Sequence, residues 1–208
     1  ELWAVVEEGD CSDTAATAAF VTRLQEFQDL FSSEVLAAGT EVSVRSLALL
    51  FTDLKGSTAM YEAVGDARAY SVVRAHFDVL FEVVRRRRGA VVKTIGDAVM
   101  AAFSDPADAV AAAFEMHDAL HERNKTLKVP VILKVGVHEG PAIAINAGGA
   151  LDYFGTTVNL AARVQSESEG GDVVLTAPLL ASPAVAALTA GLRRTDFETA
   201  VKGLSAPV

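Results

Sequence analysis

Ser46-Leu47-Ala48-Leu49-Leu50-Phe51-Thr52-Asp53 is an almost unbroken apolar run that ends in a carboxylate. Apolar residues in succession, without polar alternation, predict a strand buried on both faces. Asp53 then stands at the tip of buried structure. Downstream, Asp66 can cap a helix whose Tyr70, Val73, Phe77, Leu80, Phe81 and Val84 keep a 3.6-residue period until Gly89 stops it. Arg85 to Arg88 close its last turn and read as a solvated positive end that suits the helix dipole. Val91–Ile95 and Val99–Phe103 are strand-like runs around Gly96-Asp97-Ala98, a hairpin signal that holds Asp97 at a turn.

Asp105-Pro106 supply an N-cap and a first helical position for a helix through Glu122. Val131–His138 and Ala142–Asn146 predict a strand pair with Gly140-Pro141 between them. Gly155-Thr156-Thr157 opens a short helix over Val158–Gln165, Asp172–Thr176 reads as a strand, and Leu192–Val201 as a closing strand-rich segment. Upstream, Phe20, Leu24, Phe27 and Phe31 fall at helical spacing and predict a lead-in helix over 14–37. From Ser46 the order strand, helix, strand, strand, helix, strand predicts an α+β fold, a ferredoxin-like split βαβ core sheet with helices packed on it. Residues 1–40 are expected to be a helical, regulatory lead-in and 41–208 the main domain.

With 208 residues, 51% of them hydrophobic and 22% charged, the chain suits one folded domain with a sizeable core. The net charge of −9 argues against broad binding to nucleic acid or an anionic membrane, so a phosphate partner must be captured locally. Cys11 is the only cysteine, which excludes an intrachain disulfide and points to the cytoplasm. No stretch reaches the roughly 18 apolar residues of a membrane span, so no membrane contact by this segment is expected. The chain opens at Glu1 without a methionine and is expected to be part of a larger, regulated protein.

Asp53 and Asp97, each at the end of buried structure, suit Mg²⁺, which is typically held by one or two carboxylates together with substrate phosphates. Either residue alone could equally cap a turn. His117 and His121 have a spacing that zinc sites use, but the chain offers too few further His or Cys ligands, and a solvated helix face is the better reading. His138, in a strand, reads as a packed or turn-bonded histidine.

The text around the two aspartates decides between these readings. Phe51-Thr52-Asp53-Leu54-Lys55-Gly56-Ser57-Thr58 resembles the first metal-binding signature of class III nucleotidyl cyclases, and Lys93-Thr94-Ile95-Gly96-Asp97-Ala98-Val99-Met100-Ala101-Ala102 their second. Leu133–Pro141 is similar to the central strand pair of that family, Asp152–Arg163 to its dimer-completing segment, and Val201-Lys202-Gly203 to its C-terminal lysine motif. The resemblance covers about residues 44–203. It implies the class III cyclase fold, with two Mg²⁺ per site, Mn²⁺ able to substitute, held by Asp53, Asp97 and the Leu54 carbonyl. The loop with Gly56, Ser57 and Thr58 would cradle the triphosphate of ATP. Lys93 and Asp152 would read the adenine, Asn159 would orient the ribose, Arg163 would neutralise the α-phosphate in the transition state, and Lys202 would contact the outer phosphates. These contributions would come from two chains, so the expected enzyme is a homodimeric adenylate cyclase making cyclic AMP.

Asn159 and Arg163, four apart on a predicted helix, share a face and can serve one ligand, which is consistent with these roles. Lys93 can donate to the unprotonated adenine ring nitrogen while Asp152 accepts from the exocyclic amine, and guanine reverses that pattern. The alternatives are a guanylate cyclase and a catalytically weak regulatory or dimerisation module. A diguanylate cyclase or polymerase palm is disfavoured by the lack of a Gly-Gly-Asp/Glu-Glu-Phe run. Glu139 and Ala142 depart from the family pattern, where a smaller or hydroxyl residue and a valine are usual.

Overall fold

The computed structural model describes residues 41–199 and Gln25. The lead-in helix expected over 14–37 and the Val201-Lys202-Gly203 motif therefore lie outside the described residues. The elements run β1 (Glu41–Leu54), α1 (Ser57–Val64), α2 (Asp66–Arg86), β2 (Ala90–Ile95), β3 (Ala98–Phe103), α3 (Pro106–Asn124), β4 (Leu133–Ala147), β5 (Ala150–Phe154), α4 (Thr156–Ser166), β6 (Val173–Leu175), α5 (Ala177–Leu180) and α6 (Pro183–Thr189). One sheet carries them in the order β2-β3-β1-β4-β5. The fold is α+β, as the apolar patterning predicts.

Strand β1 sits at the centre, antiparallel to β3 on one side and to β4 along nearly its whole length on the other. Its side chains feed two separate cores. Ala48, Leu50 and Leu54 join Val99, Ala101, Phe103, Val135 and Val137 beneath α2 and α3. Leu47, Leu49 and Phe51 join Met100, Ala102, Ala144 and Tyr153 on the opposite face, where Ala161 of α4 packs. Val44 belongs to this second core too, although simple alternation would send it to the first face. The register slip between Val44 and Leu47 accounts for that, since a bulge adds a residue and resets which face the next side chain meets.

The same slip explains why β4 is one strand. A turn at Gly140-Pro141 was the expectation, but the strand runs straight through, with Gly140 opposite Leu47 and Ala142 opposite Val44. Pro141 falls opposite the bulged residues, where the ladder does not need its missing N–H. The hairpin partner of β4 is instead β5, reached through Gly148 and Gly149, both at positive φ. With β1 on one edge of β4, the other edge is shared: β6 pairs in parallel with Val135–Val137 and β5 with Ile143–Ala147.

Helix boundaries follow local chemistry. Asp105 caps α3 by accepting from the Ala107 N–H at 2.8 Å, with Pro106 at the first position. Gly65, rather than Asp66, is the cap of α2, and Asp66 occupies the first turn, where its charge suits the dipole. Helix α2 ends at Arg86, and Arg88 takes the left-handed conformation with φ 57°. Gly89 is needed for a different reason: a Cβ there would collide with the Phe103 ring. The arginines at this end are not simply solvated. Arg86 and Arg87 both bond Glu115 of α3, at 2.5 and 2.6 Å, and Arg88 pairs with Asp108 at 2.7 Å. Burial alone would raise the Glu115 pKa, but the two guanidinium groups hold it below the usual carboxylate range. Two short helices, α5 and α6, follow β6, and residues 193–199 form neither helix nor strand where a strand-rich segment was expected. No helix among the described residues is long and apolar enough to cross a membrane.

Helix α4 approaches β4 closely because Gly136 has no side chain. A Cβ there would collide with the backbone N of Gln165 and stand 2.7 Å from the Val164 carbonyl carbon. Gly136→Ala must therefore push α4 off the sheet. We expect a loss of about 1–3 kcal/mol in urea unfolding, and an unchanged midpoint would contradict this packing.

Candidate active site

Three loops meet at the C-terminal end of β1. The Leu54 N–H donates to Asp97 Oδ2 at 3.3 Å, so the tip of β1 and the Gly96-Asp97 turn are tied together. Gly96 adopts φ 64°, which lets two residues close that turn. Burial and the neighbouring Asp97 charge both push the Asp53 carboxyl above its ordinary pKa, while its backbone hydrogen bond to Leu54 and Lys134 oppose the shift. Two carboxylates that repel one another at a half-buried edge form a donor set suited to a dication. Among the described residues no cluster of three or more His, Cys, Asp or Glu is present, so waters and phosphate oxygens would have to complete the coordination, as Mg²⁺ prefers.

Beyond Leu54 the chain turns at Gly56, with φ 72°, into α1. No side chain caps this helix, so the N–H groups at Ser57 and Thr58 remain available to an anion. Asp53, Leu54, Lys55 and Gly56 line an open cleft of about 520 Å³ together with Lys134, Ser168 and Glu169. Lys134 was assigned no role by sequence reasoning. It reads as one polar residue in an apolar strand, and only the β1–β4 register places it opposite Asp53. Its Nζ donates to the Ser166 carbonyl at 3.0 Å. The 168–172 loop is held by Asp172, whose carboxylate accepts from the Ser168 hydroxyl and from the N–H groups of Glu169 and Gly170.

A second group joins β2 to β5. Lys93 Nζ meets Asp152 Oδ2 at 2.6 Å, although β2 and β5 stand at opposite ends of the sheet order. The register slips in β1 and β2 accompany the curl that brings them together. Asp152 Oδ1 also accepts the Tyr153 N–H at 2.8 Å. Asn159 and Arg163 project from α4 away from its buried positions Thr157, Ala161 and Val164. Neither side chain makes a hydrogen bond or ion pair with another described residue. Exposed Ile95 (56%) and Phe154 (65%) flank the Lys93–Asp152 pair. Lys202 lies outside the described residues.

The histidines stand apart from these groups, with one exception. His117 is half-buried rather than solvated, and its Nε2 bonds the Asp172 carbonyl at 2.9 Å. His138 Nδ1 bonds Thr176 Oγ1 at 3.0 Å, the bonded packing role expected of it. His76 is buried on α2 with its Nδ1 bonded to the Val73 carbonyl at 2.6 Å, and sequence reasoning missed it because it falls on the inward face of the helix like any core residue.

Residues 41–200 match the family model described as the adenylate and guanylate cyclase catalytic domain. The chain belongs to this family. An uncharacterised protein of Mycobacterium tuberculosis is 32% identical over 174 residues, which are 79% of this chain and 44% of that protein. The adenylate cyclase of Lachancea kluyveri is 33% identical over 152 residues, 62% of this chain and 8% of its own length. The chain thus spans less than half the length of these curated relatives. Among solved structures, the guanylyl cyclase Cya2 superimposes with a TM-score of 0.70 at 23% identity, covering 82% of this chain and 91% of that one. That likeness extends to the fold.

The raised Asp53 pKa has a consequence for stability. A carboxyl whose folded-state pKa lies above its unfolded value favours the fold fully below the unfolded value, and that contribution is lost as pH rises through the folded value. In chelated, metal-free protein, Asp53→Asn should gain melting temperature relative to the parent as pH goes from 4 to 7. A gap that stays constant over this range would show that the carboxylate is not strained.

Proposed function

We propose that the chain is an adenylate cyclase domain that converts ATP to 3′,5′-cyclic AMP and pyrophosphate at sites shared between two copies. The observation that carries the choice of nucleotide is the Lys93–Asp152 pair. Its ammonium keeps further N–H donors and its carboxylate keeps further lone pairs. A donor and an acceptor held side by side match the adenine ring nitrogen and exocyclic amine, whereas guanine would leave both unpaired.

Asp53, Asp97 and the Leu54 carbonyl are the residues that would hold Mg²⁺ or Mn²⁺. When bound, the ions would supply Lewis acidity for the ribose 3′-hydroxyl and charge compensation for the phosphates. The chain itself orients the substrate. Free N–H groups at Gly56, Ser57 and Thr58, with Lys55 and Lys134 on the cleft wall, attract the triphosphate. Arg163, with no carboxylate partner among the described residues, is free to meet charge that develops on the α-phosphate, and Asn159 one turn before it can fix the ribose. In-line displacement then needs positioning more than a protein base.

Two features favour a homodimer. Asn159 and Arg163 point away from their own sheet, so a second copy can receive them. Ile95 and Phe154 beside the base-reading pair offer apolar surface to such a partner. A regulatory module is the second reading, and the test separates the two. With Mg²⁺ or Mn²⁺, cyclic AMP formation should rise faster than linearly with protein concentration and vanish in Asp97→Ala. Arg163→Ala should lose about 10²- to 10³-fold in kcat. Cyclic GMP as the main product would refute the assignment of Lys93 and Asp152, and no product at any concentration would favour the regulatory module.

Asp152→Asn offers a sharper probe of base selection. Its kcat/KM for ATP should fall about 10- to 100-fold with little change for GTP. Equal losses for both nucleotides would remove Asp152 from the base-reading role.

A further inference from the structure

Thr157 takes no part in the proposed chemistry, yet it is buried, at 4% exposure, in the first turn of α4, just ahead of Asn159 and Arg163. A threonine in a helix commonly turns its hydroxyl back to a carbonyl three or four residues earlier. Here the hydroxyl leaves the helix and donates to the Pro141 carbonyl of β4 at 2.5 Å, 16 residues away in sequence. That carbonyl lies where the β1–β4 register slips, between the pairs Gly140–Leu47 and Ala142–Val44. The strand leaves room for the threonine: a Cβ at Gly140 would stand 2.7 Å from Thr157 Oγ1 and 3.0 Å from its Cγ2. Valine would fill the same volume without needing an acceptor, so packing alone does not call for the hydroxyl.

We infer that Thr157 is a positioning residue for Asn159 and Arg163: its hydroxyl pins the first turn of α4 to β4 and so sets where those two side chains stand. This deepens the roles proposed above for Asn159 and Arg163 and rests on them. Gly155 stands at the N-cap and no side chain caps α4, so the entry of the helix is not fixed from within. The far end is held separately, by the close contact of Gly136 with Val164 and Gln165 and by Lys134 Nζ on the Ser166 carbonyl. With that end fixed, loss of the Thr157 bond frees the first turn, which carries Asn159, and Arg163 follows to a smaller extent. Neither side chain bonds another described residue, so the seat of the helix is what aims them. A misplacement of about 1 Å can cost on the order of 10²-fold in rate.

Two substitutions separate the shape of the side chain from its donor. Thr157→Val keeps the shape and removes the hydroxyl, while Thr157→Ser keeps the hydroxyl. Amide hydrogen exchange over residues 156–163, read against α2 and α3, and steady-state kinetics with ATP and Mn²⁺ are the two readouts. In Thr157→Val, exchange should quicken in the first turn of α4 while α2 and α3 keep their rates, and kcat should fall about tenfold with KM nearly unchanged. Thr157→Ser should recover most of both. Combined with Asn159→Ala, Thr157→Val should lose clearly less than the product of the two single losses, because it acts largely through that side chain. The inference is overturned if the valine variant matches the parent, if its exchange quickens equally in every helix and in step with melting temperature, or if its loss multiplies in full with that of Asn159→Ala. A parent chain that makes no cyclic nucleotide would refute the proposed activity, and the exchange readout would still decide whether the hydroxyl seats α4.

Discussion

Pairing of β1 with β4 along almost their entire lengths is the constraint on which the rest of the molecule depends. It fixes which residues share a face, and through that, which polar groups can meet. Asp53 stands opposite Lys134 only because Leu50 pairs with Val137 and Phe51 with Gly136. A slip of one residue would exchange the two cores and send Asp53 to the wrong face. Both faces of β1 are apolar and buried, so each competing register would expose large side chains to water or bury polar ones.

The bulge at Arg45-Ser46 is the second device. It resets alternation between Val44 and Leu47 and lets Pro141 sit in β4 without breaking a needed hydrogen bond. It also belongs to the curl that brings β5 round toward β2, where Lys93 meets Asp152. The chemistry of the second group thus depends on a local irregularity some 40 residues or more away from either partner in sequence. Close contacts at Gly136 and Gly89 hold the layers in place around this frame.

Much of this was legible in the sequence where a single physical signal was unopposed. The apolar run of β1, the Gly96-Asp97 turn and the Asp105-Pro106 cap each follow from local chemistry, and the structure contains all three. The split of β4 at Gly140-Pro141 was misread because those residues carry a turn signal in isolation, and the bulge that neutralises it lies on another strand. Strand β5 was hidden by its shortness, and α5 and α6 by a composition rich in Ala and Pro with no clear periodicity. Lys134 was invisible for a related reason: it looks like a stray polar residue in a strand, and only the β1–β4 register gives it a neighbour to act upon. The motifs, by contrast, named Asp53, Asp97, Lys93 and Asp152 before any contact between them was known.

An acidic chain proposed to handle a polyanionic substrate must concentrate opposing charge in a small volume. Here that charge is divided among the strand tip, the helix N-terminus and the cleft wall, with Lys55 and Lys134 close to carboxylates that disfavour one another. Left alone, the carboxylate pair is an electrostatic liability at the end of a buried central strand. On the proposed reading, a dication would convert it into an attraction, and the phosphates of a nucleotide would find both metal and lysines in one place. Repulsion between the two carboxylates and affinity for a cation would then be two sides of the same arrangement. Stability given up at Asp53 would be the physical counterpart of the proposed capacity to hold ions there, a trade that residues chosen only for folding would not show.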